Sequence, residues 1–136
     1  NPLPISMASG QNGFGAGQRP NRTGLPAKIE GSAQSKLNMW FNTAAFAAPG
    51  PWKFGNAART MPDARSHGIN NVDFTLFKNT QVTERVGVQF RTEVFNLFNR
   101  VRFGYPNTAL GNPNFGFVSG QYNDPRLIQL ALRLLF

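Results

Sequence analysis

Leu127-Ile-Gln-Leu-Ala-Leu-Arg-Leu-Leu-Phe136 is the stretch whose reading decides the fold. Side chains alternate sides along an extended chain. Ile128, Leu130, Leu132, Leu134 and Phe136 therefore share one face, and that face is unbroken hydrocarbon. Leu127, Gln129, Ala131, Arg133 and Leu135 form the other, which is mixed. No polar tail follows Phe136. That is unusual for a domain bathed in water, whose termini fray into solvent.

A strand of about 9–11 residues with one face in lipid fits a transmembrane β-barrel. Working backward, the same alternation recurs twice. Val72-Asp-Phe-Thr-Leu-Phe-Lys-Asn79 sets Val72, Phe74 and Leu76 against Asp73, Thr75 and Phe77. Residues 79–85 read as a turn or loop. In Val86-Gly-Val-Gln-Phe-Arg-Thr-Glu-Val-Phe-Asn96, one face carries Val86, Val88, Phe90, Thr92 and Val94. Gly87, Gln89, Arg91, Glu93 and Phe95 take the other. The short separation predicts an antiparallel hairpin. Arg91 and Glu93 can pair with each other or across strands, and their face reads as solvated surface or lumen. Val86, Val88, Phe90 and Val94, with Ile128, Leu130, Leu132, Leu134 and Phe136, are the candidate assembly residues on apolar strand faces.

Outside these strands the chain is punctuated by turn formers. Phe95-Asn-Leu-Phe-Asn99 breaks the alternation and predicts a tight turn or one helical turn. Residues 100–113 read as loop, anchored by Phe103, Tyr105 and Leu110. Asn114-Phe-Gly-Phe-Val-Ser-Gly120 predicts a short strand, and Asn123-Asp-Pro-Arg126 a turn into the last one. Residues 37–49 suggest a short helical turn capped from Asn42-Thr43 and ended by Pro49-Gly-Pro51. Trp40, Phe41, Phe46, Trp52 and Phe54 form an aromatic cluster. It is expected to pack against neighbouring strands; a membrane-interface belt or sugar-stacking surface is the other reading. Residues 1–36 are rich in Gly, Pro, Ser and Asn. They predict an extended arm anchored only by Ile5, Phe14, Leu25 and Ile29. The expected organisation is an arm over 1–36 and a β region over 37–136, with the terminal strand at 127–136. The fold class is all-β: short antiparallel strands and long Gly/Pro/Asn-rich loops.

Composition agrees. The chain has 136 residues, about one domain's worth, and reads as the C-terminal piece of a longer or processed protein. No apolar run approaches the roughly 18 residues of a membrane helix. Fourteen Gly, ten Pro and about fifteen Asn leave little room for long helices. Only 15% of residues are charged, against about 25% in an average soluble domain. The net charge is +8, but the basic residues are scattered from Arg19 to Arg133, so no specific nucleic-acid site is expected. Without cysteine there are no disulfides, thiol nucleophiles or Cys-based zinc sites. The single histidine, His67, has no ligand or catalytic partner nearby in sequence and reads as a loop residue. Glu30, Asp63, Asp73, Glu84, Glu93 and Asp124 stand singly. Gly13-Phe-Gly-Ala-Gly17 lacks the Lys-Ser/Thr of a phosphate-binding loop. The chain is therefore expected to be no enzyme, with no cofactor and no metal.

Several stretches together resemble one family: Trp40-Phe-Asn-Thr-Ala-Ala-Phe46, Gly55-Asn-Ala-Ala-Arg59, Val72-Asp-Phe-Thr-Leu-Phe-Lys-Asn79 and Thr83-Glu-Arg85 upstream. Phe90-Arg-Thr-Glu-Val-Phe-Asn-Leu-Phe-Asn99, Phe115-Gly116 and Asp124-Pro-Arg126 with Phe136 complete the set. They look like the C-terminal end of TonB-dependent receptor-like outer-membrane proteins, of the large type with an N-terminal carboxypeptidase-regulatory-like domain. The likeness covers residues 18–136 and is densest over 72–136. It implies a barrel of about 22 strands, a plug, a TonB-binding segment and energised uptake. It also implies that Phe136 belongs to a signal read by the barrel-assembly machinery. No ligand-binding residue carries over.

Four or five strands cannot close a barrel, since known single-chain barrels start at about eight. A lone sheet would leave two unpaired edges. The first expectation is therefore self-assembly: copies of the chain order one another by β-stacking into an extracellular filament. The alternative is a stretch of wall in an intact outer-membrane transporter barrel, in contact with lipid. The +8 charge opposes in-register stacking.

Overall fold

The computed structural model describes residues 1–8 and 18–136. The Gly-rich stretch 11–17, with Phe14 as an anchor, lies outside the described residues. No described residue is in an α-helix, and no closed barrel forms. Among the described residues no helix is long and apolar enough to cross a membrane.

By contacts the chain divides into two units, and neither is bounded at residue 36. One comprises Ile69–Arg102 and Tyr122–Phe136, the other Asn1–Gly68 and Phe103–Gln121.

The first unit is a sheet of three long strands, Phe74–Gln81, Gly87–Phe95 and Leu127–Leu135. In chain order they are strands β6, β7 and β9. Their order is β6-β7-β9 and both pairings are antiparallel. Leucine forms helices readily, yet all five of the final stretch's leucines before Phe136 lie in β9. The period-2 pattern and pairing to β7 override propensity. The hairpin turn is shorter than the sequence suggests. Asn79, Thr80 and Gln81 continue β6, opposite Gln89, Val88 and Gly87. Gln89 Nε2 donates to Asn79 Oδ1 across the pair at 2.8 Å. Residues 82–86 then close the turn. Val82 N donates to Val86 O at 2.9 Å, and Thr83 Oγ1 accepts from Val86 N at 3.1 Å.

The second unit holds the short strands β1 (Pro2–Leu3), β2 (Ser6–Met7), β3 (Asn21–Arg22), β4 (Phe46–Ala47), β5 (Met61–Arg65) and β8 (Ala109–Leu110). They pair as β1-β5 and β3-β4 antiparallel and β2-β8 parallel. The predicted strand at 114–120 is absent. Consecutive turns replace it, with Phe115 N donating to Asn112 O and Phe117 N to Asn114 O. Gly116 sits there at φ 84°, a left-handed conformation that glycine adopts without cost.

This unit has its own core of Leu3, Ile5, Ala27, Trp40, Phe41, Phe46, Met61 and Val118, with Phe115 packed against it. Phe41, Phe46 and Phe115 meet edge to face, with centroids 5.1–6.1 Å apart. The aromatic cluster thus splits: Trp40, Phe41 and Phe46 are buried, whereas Trp52 and Phe54 are exposed. Of the expected anchors of the first 36 residues, Ile5 is buried, Ile29 half-buried and Leu25 exposed. The capped turn forms as a 3-10 helix, Thr43–Ala45, with Asn42 accepting from Ala44 N. Gly55 lies against backbone, where an added Cβ would stand 1.8 Å from Arg19 O.

Arg22 and Asp63 clamp the unit. Arg22 Nη1 and Nη2 donate to Asp63 Oδ1 at 3.1 Å and Oδ2 at 2.9 Å. Ala27 N donates to the same Oδ2, and the guanidinium lies 5.2 Å over the Phe46 ring. Bonding from Arg22, reinforced by Ala27 N–H, holds the Asp63 carboxyl below its ordinary range. The carboxylate therefore ionises at lower pH folded than unfolded. Its contribution is complete above the ordinary carboxylate range and is lost as pH falls through the folded value. Asp63→Asn should destabilise the unit by about 1–3 kcal/mol at neutral pH. Trp40 fluorescence in urea titrations of a Trp52→Phe background should show this gap narrowing in acid. A constant gap would mean that Asp63 acts without its charge.

Candidate functional site

The register of the long strands sorts every side chain onto one of two faces. Directly paired residues in antiparallel strands project from the same side. Val88, Phe90, Thr92 and Val94 of β7 pair with Leu134, Leu132, Leu130 and Ile128 of β9. On the other side they pair with Thr80, Lys78, Leu76 and Phe74 of β6. The alternate positions bring together Gln89, Arg91 and Glu93 with Arg133, Ala131 and Gln129, and with Asn79, Phe77 and Thr75. Arg91 and Glu93 form an ion pair on this polar face. The apolar face is bare: Leu130 and Leu132 remain 65% and 68% exposed. Of the nine candidate assembly residues, Ile128, Leu130, Leu132, Leu134, Val88, Phe90 and Val94 share that face. Val86 falls in the turn before β7, and Phe136 follows β9, fully exposed.

At the opposite end from the turn, an asparagine network ties the strand ends. Asn96 and Asn99 adopt left-handed φ of 52° and 50°, which asparagine tolerates better than most residues. Asn96 Nδ2 donates to Arg100 O and to Asp124 O, each at 3.1 Å, and its Oδ1 accepts from Arg100 N at 2.9 Å. Its own N–H donates to Asp73 Oδ1 at 2.9 Å. Asn123 bridges Arg100 O and Arg102 N, and Asn99 Oδ1 accepts from Arg126 N at 2.9 Å. The turn predicted at 95–99 is thus a knot joining the approach to β6, the exit of β7 and the entry to β9. Sequence reading missed these roles. The available signal was the pair of asparagines three apart directly after a strand.

The loop-rich unit contains a cleft of about 570 Å³. Residues between Ala27 and Phe41 line one side and Pro62 to His67 the other. Trp40 Nε1 donates to Arg65 O at 2.7 Å and joins the two sides. Lys36 Nζ lies 5.3 Å over the Trp40 ring. His67 makes edge-on ring contacts with Trp40 and Phe103. Lys28 and Glu30 pair at 2.6 Å, and Lys28 holds the fully exposed Glu30 carboxyl below its ordinary range. Among the described residues, no three His, Cys, Asp or Glu side chains gather to hold a metal ion.

A family model described as an outer membrane beta barrel domain matches residues 1–129. No curated protein matches the chain. No solved structure matches it either.

The asparagine knot yields a test. Asn96→Ala removes three side-chain bonds and puts a Cβ in left-handed backbone without a local partner. It should cost about 2–4 kcal/mol, and Asn96→Gly about 1 kcal/mol less. Hydrogen exchange should speed at the Arg100 amide, which Asn96 holds, more than at the Arg102 amide, which Asn123 holds. Unchanged protection at Arg100 would show that the tie contributes nothing.

Proposed function

The chain belongs to the outer-membrane β-barrel domain family, and on that premise we propose that β6, β7 and β9 are a stretch of barrel wall in a TonB-dependent receptor-like transporter, with no catalytic role. The observation that carries this reading is the two-faced sheet. Membrane barrels alternate apolar-out and polar-in along each strand. Here one face presents Phe74, Leu76, Phe90, Val94, Ile128, Leu130, Leu132 and Leu134, and the other presents the Arg91–Glu93 pair, Gln129 and Arg133. Nine residues of β9 extend about 30 Å, and a tilt of about 40° brings this to about 23 Å, near the height of a barrel's apolar band.

The outer edges of β6 and β9 carry backbone groups that no described strand pairs. In hydrocarbon such groups must be paired, so further strands complete the wall. The turn at 82–86 marks the periplasmic end, because barrel turns are short on that side and long on the outside. Lipid contacts the apolar face, the barrel-assembly machinery inserts the strands, and the resemblance to TonB-dependent receptors supplies the expectation of energised uptake.

The open edges also favour a second reading, in which copies of the chain pair edge to edge in an extracellular filament. Lys78 on the edge strand and the folded loop-rich unit weigh against a flat in-register stack.

The absence of cysteine makes the test direct. Single cysteines at 128 to 134, in protein reconstituted into lipid vesicles, should alternate in reactivity with a water-soluble maleimide. Gln129→Cys, Ala131→Cys and Arg133→Cys should label. Leu130→Cys and Leu132→Cys should resist. In parallel, Leu130→Arg should cost about 2–4 kcal/mol, well above the cost of Gln129→Arg. Uniform labelling would overturn the wall reading, as would fibres with a repeat of about 4.8 Å along the axis.

A further inference from the structure

The cleft in the loop-rich unit combines an apolar floor with cations that lack carboxylate partners. Ala27, Phe41 and Ala64 lie at its base with exposures of 0%, 1% and 2%. Both of its carboxylates are engaged. Arg22 holds the two oxygens of Asp63, and Lys28 holds Glu30, with Lys36 adding a weaker attraction. Among the described residues, neither Lys36 nor Arg65 forms a salt bridge. Lys36 rests its ammonium over the Trp40 ring and near Ile29 O at 3.4 Å. Arg65 donates Nε to Pro62 O at 3.2 Å, which leaves most of a guanidinium's five donors for another acceptor. These two cations come from the two segments that line the cleft, one before Trp40 and one in β5, and the Trp40–Arg65 bond ties those segments together.

We propose that this cleft binds a small organic anion with a flat apolar body, an aryl carboxylate of one or two rings. Its carboxylate lies between Lys36 and Arg65, and its ring lies on the surface formed by Trp40 and its apolar neighbours. A planar carboxylate matches the planar donor fork of arginine. A neutral apolar ligand would leave both cations unmatched, and a compact inorganic anion would leave the floor uncovered. The volume of about 570 Å³ lies within the span of small-ligand sites, about 300–1,000 Å³. The binding chemistry does not depend on the wall reading.

The test uses the full chain in detergent micelles with Trp52→Phe, so that Trp40 is its single tryptophan. The probe is 4-nitrobenzoate, whose nitroarene quenches indole on contact. Quenching corrected for absorption should saturate in the submillimolar range. The uncharged 4-nitrobenzyl alcohol should bind at least about tenfold more weakly. Lys36→Gln and Arg65→Gln should each weaken the carboxylate about tenfold and leave the alcohol unchanged. Near-UV circular dichroism confirms that each variant is folded, and if one is not, the charge-retaining Lys36→Arg or Arg65→Lys replaces it and should retain binding. Equal affinity for acid and alcohol would overturn the proposal. So would unsaturable quenching, or variants that bind the acid as well as the parent. Because micelle titrations read the cleft whichever side it faces, their failure counts against the ligand and not against the membrane placement, which cysteine labelling tests separately.

Discussion

The double pairing of β7 is the constraint on which the sheet unit depends. Eight residues of β6 and nine of β9 pair with it. Its backbone is satisfied on both sides along its length, which a strand in hydrocarbon requires because each orphan polar group there is expensive. The pairing also fixes the faces. A slip of one residue in β9 would move Gln129 and Arg133 onto the apolar side and bury the leucines in the polar one. Two devices prevent it. At one end the Thr83 turn sets how β6 meets β7, and the Asn79–Gln89 amide pair repeats that register on the polar face. At the other, Asn96 binds both the exit of β7 and Asp124 just ahead of β9. The start of β9 is thereby set by the end of β7, although thirty-one residues separate them.

Those intervening residues explain the division of labour. β6 begins, β7 ends and β9 begins at the same end of the sheet. The chain before β6 and the chain between β7 and β9 supply the whole loop-rich unit. A connection of that length ordinarily lacks a core. Here two connections share one, with Leu3, Ile5, Trp40 and Met61 contributed by the first and Val118 by the second. The parallel pairing of β2 with β8 joins the same two segments by backbone bonds. Rigid loops of this kind can hold a cleft in shape, which a single unsupported loop cannot.

Where the chemistry of a face was local, the sequence was legible. Period-2 alternation in three stretches placed seven of the nine candidate residues on one surface, because alternation depends only on the neighbouring residues. The turn at 95–99 and the Asn42 cap were visible for the same reason. The far end of β6 was not, because Asn79 favours turns by itself and hides the extension of residues 79–81 that pairing to β7 brings. Asn114 to Gly120 shows the reverse: its aromatic alternation suggested a strand, and it finds no partner to pair with and folds into turns. The core of the loop-rich unit was hidden for a different reason. Ala27, Ala45, Ala57 and Ala64 are buried there, and alanine carries little signal of burial in a polar, Gly/Pro-rich context. The cleft is formed by segments more than twenty residues apart, so no spacing announced it.

The distribution of charge follows from the same geometry. Of fourteen basic residues, only Lys78, Arg91 and Arg133 lie in the three long strands. Arg91 and Arg133 take polar-face positions, and Arg91 has Glu93 beside it. The remaining eleven sit in the connections and the short strands, where water meets them at low cost. The strong positive balance therefore lies mainly in the connections and the short strands. Lys78 alone stands on the apolar face, in the row of Phe90 and Leu132 and four rows from the 82–86 turn. In the proposed wall, a lysine there would keep its ammonium wet by extending its stem along the strand toward the nearer interface. The row order gives it that route, because Thr80 is the next residue on its face toward the turn and offers a small polar neighbour in place of hydrocarbon.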